Sequence, residues 1–398
     1  MRTALAISSF FCGLAAANPV APRQEIDLGA YKSAAAKATA VAPPIGDAAP
    51  ENSAAYNPTS VSALAVAQIT SAASDATKTV EVVAAKRAAT SCTTRTYNGP
   101  QVTSPADTPE AFLGYQPFKD AAESAALDEN VPTAGYQVVD GFVNLQATAI
   151  NSNYLTYVSS RLTGYDVDTC AAVCDGMAGC NSFVIYYERD PLVVNPDTQV
   201  PDVNLCPANS SSSSATLIKC AFYGQPVTSG EAVNSYQYWG SFKIVYAGAN
   251  AYYKYAATVD GFKAPVSFGG AAINAPAPVI NHGYLRSQTF GTNVPFDPSL
   301  CAASCNAQTT YNAKHSLYNG AACVFFDAFI VYENGLNGVF TCNYYSIEYD
   351  SSYAKNVGQY DSAGNHYTIG NSYGYYIDLD LPSVCSSLLV SSTTVTTW

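Results

Sequence analysis

The sequence predicts an α+β fold of two disulfide-pinned modules, each a small antiparallel sheet packed on one short helix. Three observations lead there. The stretch Asp166-Val-Asp-Thr-Cys170-Ala-Ala-Val-Cys174 returns 131 residues later as Asp297-Pro-Ser-Leu-Cys301-Ala-Ala-Ser-Cys305. Behind each copy lie β-branched and aromatic runs, Ser182-Phe-Val-Ile-Tyr-Tyr-Glu-Arg and Ala328-Phe-Ile-Val-Tyr-Glu-Asn, which read as strands. The cysteines also correspond in order: Cys170 with Cys301, Cys174 with Cys305, Cys180 with Cys323, and Cys220 with Cys342.

Asp166 and Asp297, each four residues ahead of a cysteine, are placed to accept the free N–H groups of a first helical turn. Pro298 then occupies a position where its missing N–H costs nothing. Cysteines at i and i+4 share one helix face, so a single helix can be bolted to other segments through two neighbouring sulfurs.

The flanks repeat too. Asp140-Gly-Phe matches Asp260-Gly-Phe, and Asn153-Tyr-Leu-Thr-Tyr matches Gly283-Tyr-Leu-Arg-Ser. Ala221-Phe-Tyr-Gly and Asn343-Tyr-Tyr-Ser follow the fourth cysteines, and Gly248-Ala-Asn-Ala-Tyr-Tyr and Gly370-Asn-Ser-Tyr-Gly-Tyr-Tyr close the halves. The modules are set at 136–255 and 256–381.

Ahead of them, Met1-Arg2 and the apolar run to Ala17 read as a secretory signal over 1–17, too short for a membrane span. Residues 18–87 are rich in Ala, Ser, Thr and Pro, a composition expected to leave too little apolar surface to order the chain. A weak helix is allowed around Val61 to Ile69 and Val80 to Ala85. The segment ends at Lys86-Arg87, a dibasic pair that reads either as a processing site, making 18–87 a propeptide, or as part of an exposed linker. Residues 88–135 are a lead-in segment. Within it, 107–115 belongs either to the first module or to a separate lead-in strand. A Ser/Thr-rich tail, 382–398, is too polar for a lipid-anchor signal.

From Ala88 onward the chain holds 11 Lys and Arg against 24 Asp and Glu. So acidic a surface argues against nucleic acid and anionic membranes as partners. The eleven cysteines beyond the signal are expected to form mostly disulfides in an exported chain. Four cysteines allow three connectivities, and sequence alone does not choose among them. Cys-x3-Cys without a second close knuckle is a poor zinc site, so neither a metal nor a cofactor is expected.

Cys-x3-Cys on a helix, a cysteine before a strand and another on a later strand resemble the PAN/apple module. The chain from Ala88 is also similar to a group of secreted filamentous-fungal cysteine-rich proteins of unassigned activity. That likeness is carried by Lys86-Arg87, Thr108-Pro-Glu-Ala-Phe-Leu, Gly141-Phe-Val-Asn-Leu-Gln-Ala, Tyr187-Glu-Arg-Asp-Pro and Ile218-Lys-Cys-Ala-Phe-Tyr-Gly. The module resemblance implies Cys170–Cys220, Cys174–Cys180, Cys301–Cys342 and Cys305–Cys323. Two departures stand out. The Cys305–Cys323 loop holds 17 residues against five between Cys174 and Cys180, and Cys206 has no counterpart. Cys92 and Cys385 are read as a clasp, leaving Cys206 odd unless it takes Cys92.

Chemistry is sparse. His282, His315 (in the 305–323 loop) and His366 fit no catalytic motif and read as surface or turn residues. Glu188 and Glu333 end matched strands. An acid pair is what glycoside hydrolysis needs, but matched positions in two modules lie in separate sheets. Glu188-Arg189-Asp190-Pro191 reads instead as an exposed charge pair and a turn.

Tyrosine is abundant, 30 residues against two Trp, and comes in pairs. Strand alternation would turn one of each pair outward, which nominates Tyr187, Tyr253, Tyr345 and Tyr376 as a binding row for polysaccharide or a surface protein. The competing reading is that Tyr simply favours half-buried strands. Asn209-Ser-Ser is a glycosylation sequon. The expectation is a secreted, non-catalytic binding protein of the cell wall or host interface. The alternatives are a polysaccharide hydrolase and a structural wall protein.

Overall fold

The computed structural model describes residues 24–36, 40–46, 56–70, 93–94, 96–102, 106–128, 135–194, 214–239, 242–276 and 283–378. Lys86, Arg87, Cys92, Cys206, Asn209, His282 and Cys385 lie outside the described residues. The first elements are two helices, α1 (Leu28–Ala35) and α2 (Pro58–Thr70). Asp27 caps α1 by accepting the Ala30 N–H at 2.9 Å. A two-residue strand, β1 (Thr93–Thr94), and the helices α3 (Pro109–Leu113) and α4 (Gln116–Leu127) follow. The stretch 107–115 is therefore helical where a strand was one expectation. Thr108 accepts the Ala111 N–H and Pro109 opens the first turn, a strong local start.

The first sheet combines β2 (Tyr136–Val138), β3 (Tyr154–Val158), β4 (Ser182–Pro191), β6 (Ser214–Tyr223) and β8 (Phe242–Lys254). Its order is β2-β8-β4-β6-β3, antiparallel throughout, with β7 (Tyr236–Trp239) added on β8. The short β5 (Val193–Val194) pairs with β1. Between β3 and β4 runs α5 (Val167–Asp175), whose N-cap Asp166 accepts the Thr169 N–H at 3.0 Å. Cys170 is bonded to Cys220 on β6, and Cys174 to Cys180 just before β4.

The second sheet contains β9 (Val266–Gly269), β11 (Tyr284–Thr289), β12 (Phe325–Glu333), β13 (Leu336–Tyr345), β15 (Gly358–Tyr360) and β16 (His366–Tyr376). Its order is β11-β13-β12-β16-β15, with β9 on β16; β10 (Ala272–Ile273) and β14 (Ala354–Asn356) form a separate pair. Asp297 caps α6 (Pro298–His315) by accepting the Ser299 N–H. Cys301 is bonded to Cys342 on β13, and Cys305 to Cys323 just before β12.

α6 has 18 residues against nine in α5, so it is not short, and His315 sits in its last turn rather than in a loop. Gly176 ends α5, whereas 306–315 contains no Gly or Pro to stop the helix. The two sheets also share a register. Ser182 lies opposite Tyr223 and Tyr253, and Phe325 lies opposite Tyr345 and Tyr376. Counted from there, Glu188 falls level with Val331. The expected match of Glu188 with Glu333 is a misalignment of the strands.

Each sheet is covered on both faces. On the helix face of the first, Phe183, Ile185 and Phe222 pack with the α5 cysteines and with Phe112 and Phe118 of α3 and α4. Its other face holds Val184, Tyr186, Tyr223 and Tyr246 under Phe142, with Ile45 of the N-terminal segment against them. In the second sheet Phe326, Ala328 and Ile330 pack with α6 and with Ala65 of α2, while Phe329 and Val331 face Ile26 and Tyr31. Parts of 18–87 are thus ordered, against the expectation from composition. The few large side chains there (Ile26, Tyr31, Ile45, Ile69) are placed where the sheets need cover, and the surface they bury is largely the sheets' own.

Two bridges tie a helix to a strand and two tie a helix to the residues just before a strand, so the loss of one frees the unfolded chain more than it alters the fold. Replacing Cys301 and Cys342 together by Ala is expected to lower stability by about 2–4 kcal/mol in guanidinium unfolding, with native circular dichroism retained. Unfolding at the wild-type midpoint would contradict this.

Candidate functional site

Where the β2–β8 edge of the first sheet meets β9 and β16 of the second, a cleft of about 270 Å³ opens. Tyr253 and Tyr255 enter it from the end of β8, Gln137 from β2, Ser267 from β9, and Asn371 and Tyr373 from β16. Pairing fixes these positions. Gln137 lies opposite Tyr253, and Ser267 opposite Tyr373. Tyr255 is exposed, Tyr253 half-buried and Tyr373 almost fully buried, so the three rings run from rim to floor.

Burial, with smaller effects from Tyr373, Tyr255 and Asp140, pushes the Tyr253 phenol up to about 12. It is therefore a neutral hydroxyl at any physiological pH. Asn371 takes a left-handed backbone (φ 49°), and its amide group donates to the Tyr332 hydroxyl at 3.4 Å. Gly269, Gly270 and Gly370 complete the wall, leaving backbone open to a ligand. The lining contains no carboxylate, imidazole or amine, only aromatic faces, amides, a hydroxyl and backbone.

Of the four tyrosines nominated from sequence, only Tyr253 reaches this cleft. Tyr187 is buried between Phe118 (ring centroids 4.0 Å apart) and Tyr165 (5.2 Å). Tyr345 is buried beside Tyr349, its hydroxyl donating to Gln24 Oε1 at 3.1 Å. Tyr376 is half-buried and donates to the Tyr349 carbonyl at 2.6 Å. The alternation argument failed because both faces of β4 and β13 are covered, leaving no outward side. Sequence reasoning missed Tyr255, Tyr373, Gln137 and Asn371. The spacing of Tyr253 and Tyr255, two apart at the end of a strand run, was the available signal.

The charges read as exposed at the end of β4 are buried. Glu188 and Lys219 are fully enclosed and paired at 2.6 Å, with the Lys219 ammonium 4.5 Å above the Tyr157 ring. Arg189 reaches Asp107 at 2.9 Å and stacks on Phe242, and Asp190 is buried. The cause is that β4 continues to Pro191 under cover on both faces, so no turn brings these groups to solvent. Burial, reinforced by the Glu188 charge, holds the Tyr154, Tyr186 and Tyr246 phenols above their ordinary range. Glu333, in the other sheet, accepts from the Tyr367 hydroxyl at 2.8 Å. The two carboxylates weighed for hydrolysis therefore do not share a site.

His366 stacks on Tyr360 (4.2 Å), and His315 packs on Tyr311 (4.3 Å). Among the described residues no cluster of three or more His, Cys, Asp or Glu is arranged to hold a metal, and no helix is long and apolar enough to cross a membrane. Comparison with protein-family models, curated proteins and solved structures yields no match to this chain.

Two further carboxyls are buried. Glu231 accepts from the Thr228 N–H and the Asn151 amide; Asp327 accepts from the Ile273 N–H and the Ser372 hydroxyl. Burial outweighs these donors and raises each to about 7, from ordinary values of 4.5 and 3.8. The folded state therefore binds more protons than the unfolded state between about pH 4 and pH 7, and stability falls as pH rises through that window. Below it, Asp361, held under the ordinary range mainly by Lys32, acts in the opposite sense. The thermal midpoint is expected to be higher near pH 5 than above about pH 7, and Glu231→Gln with Asp327→Asn should flatten the difference. A midpoint that climbs steadily from pH 5 to 8 would contradict the assignment.

For the enclosed pair, Lys219→Met strands the Glu188 carboxylate and is expected to destabilise by about 3–5 kcal/mol in urea unfolding. Adding Glu188→Leu should recover most of that loss. Equal stability of the single variant and wild type would mean that the charge is relieved elsewhere.

Proposed function

We propose that the chain is a secreted, non-catalytic binding protein, matured at Lys86-Arg87 and built from two PAN/apple-like modules. Its inter-sheet cleft would take a neutral polysaccharide chain of the cell wall or a host surface. The observation that carries this is the lining of the cleft: Tyr253, Tyr255 and Tyr373 beside the Gln137 and Asn371 amides, with no ionisable group except the tyrosine hydroxyls. Sugar rings present apolar C–H faces and neutral hydroxyls. Such ligands are held by aromatic faces with flanking amides, whereas a charged ligand would call for a counter-charge.

The two-module reading is supported by the matched helix–strand bridges and the common strand register. It is further supported by the loops at Gly141 and Gly261. Both glycines have positive φ, and the following Phe142 and Phe262 each donate to a carbonyl three residues back at 3.0 Å. The non-catalytic reading is supported by the engagement of Glu188 with Lys219 and of Glu333 with Tyr367.

The test is depletion of the secreted protein from solution by insoluble chitin, β-glucan, cellulose and mannan, with soluble sugar assayed in the same tubes. Retention on at least one polymer without sugar release is expected. Tyr255→Ala, at an exposed position where truncation removes little packing, should weaken retention by about tenfold, near the upper end for one aromatic contact. Tyr238→Ala, exposed on β7, should leave it unchanged. Sugar release would overturn the non-catalytic reading, and retention indifferent to Tyr255 would overturn the cleft.

A further inference from the structure

The N-terminal segment is seated on both sheets through contacts that resemble those of a bound peptide. On the second sheet, Gln24 donates its N–H to Asn274 Oδ1 at 2.7 Å, and its carbonyl accepts from the Asn356 amide at 2.7 Å. The carboxamide of Gln359 takes both backbone groups of Ile26, at 2.9 and 3.2 Å, as a neighbouring strand would. Tyr31 then stacks edge-on against Tyr367 (5.1 Å) in a buried cluster with Phe329 and Val331.

On the first sheet the chain makes an antiparallel bridge, Val41 with Asn151. It then offers the Pro44 carbonyl to Lys219 Nζ at 3.0 Å and the Gly46 N–H to Glu188 Oε1 at 2.8 Å. The enclosed ion pair is thus completed by one acceptor and one donor from the segment. α2 supplies a third seat. Ala65 is buried in the α6 core and its carbonyl accepts from Gln288, while the Tyr56 hydroxyl donates at 2.6 Å to Asp297, the residue that caps α6.

We propose that the outer faces of the two sheets and the α6 surface are peptide-binding surfaces whose resident ligand is the N-terminal segment of the same chain, seated through residues 24–36, 40–46 and 56–70. Severing the chain at Lys86-Arg87 then leaves that segment in place, giving a two-chain, non-covalent protein rather than a released propeptide. The inference is independent of the cleft. It relies on the dibasic pair only as the place of the natural cut. Departure of the segment would leave Lys219 and Glu188, both fully enclosed, and Asn356 and Tyr345 without partners they now have, and would uncover Phe329, Val331 and the Tyr186 face.

The experiment cuts the full-length secreted chain after Arg87 with a dibasic-specific endoprotease and passes it through size exclusion under native conditions. An inserted site-specific protease sequence at the same place serves if the pair resists. The expected result is co-elution of the N-terminal fragment with 88–398, and separation only in denaturant. Native separation of the two overturns the proposal, whether or not 88–398 stays folded. The variant Tyr31→Ser, Ile45→Asp should elute normally uncut and lose the fragment once cut. Retention equal to wild type would overturn the assignment to these seats. Terminal sequencing of the untreated product reports separately whether the natural cut occurs.

Discussion

The central strands β4 and β12 are buried along both faces, every residue of β4 being enclosed and all of β12 except its last. A strand in that position cannot alternate between core and solvent. It needs one layer above and another below. The disulfide helices provide the first layer, each pinned at two points so that its cysteine face stays on the sheet. The second layer comes from elsewhere: the 139–149 loop and Ile45 over one sheet, α1 and Ile26 over the other. Much of what distinguishes this molecule follows from how that second layer was recruited.

Enclosure on both faces also sets the electrostatics. Glu188, Lys219 and Asp327 lie on central strands facing the second layer, where desolvation is severe. The structure meets the demand in two ways. Glu188 and Lys219 neutralise each other and borrow backbone partners from Pro44 and Gly46. Asp327 has no cation beside it and instead has its proton affinity raised. Ion pairing at Glu188, and raised proton affinity at Asp327 and at Glu231 beside the first sheet, are separate answers to one constraint.

The helices, their Asp caps, the strand runs after the third cysteines and the antiparallel class were legible because each is written locally. A cap needs one carboxylate at the right spacing, and a strand needs a β-branched and aromatic run. What was not legible depends on residues far apart in sequence. Nothing near Tyr187 announces that Phe118 will stack on it, and nothing near Glu188 announces Pro44. The same holds for the described parts of the 18–87 segment. Its composition was read correctly as poor in large apolar groups, but its order comes from surface that the sheets supply. Gly248 shows the other side of this. Its φ of 59° and the Phe118 carbonyl, 2.8 Å from where a Cβ would sit, mark a close approach by α4, while from sequence it is one glycine in a Gly/Asn/Tyr run. The cleft was half-legible: Tyr253 was nominated for the right strand, and its partners come from across the sheet junction.

That junction is one place on the sheets where aromatic faces stay open. Over the central strands each face is sealed by a helix, a loop or the N-terminal segment, so tyrosines there are structural. Away from the cleft the two sheets are joined by directed contacts from the 224–228 loop, the Tyr332 hydroxyl to the Pro226 carbonyl, the Thr228 hydroxyl to the Gly335 carbonyl and the Phe296 N–H to the Gly224 carbonyl among them. No cover layer reaches the end of β8, and Tyr253 and Tyr255 are left with open faces. A protein that uses most of its aromatic side chains in sealing two sheets keeps open aromatic faces where the sealing stops: the tyrosine-lined seam is one such place, and the β7 edge with Tyr236 and Tyr238 is another.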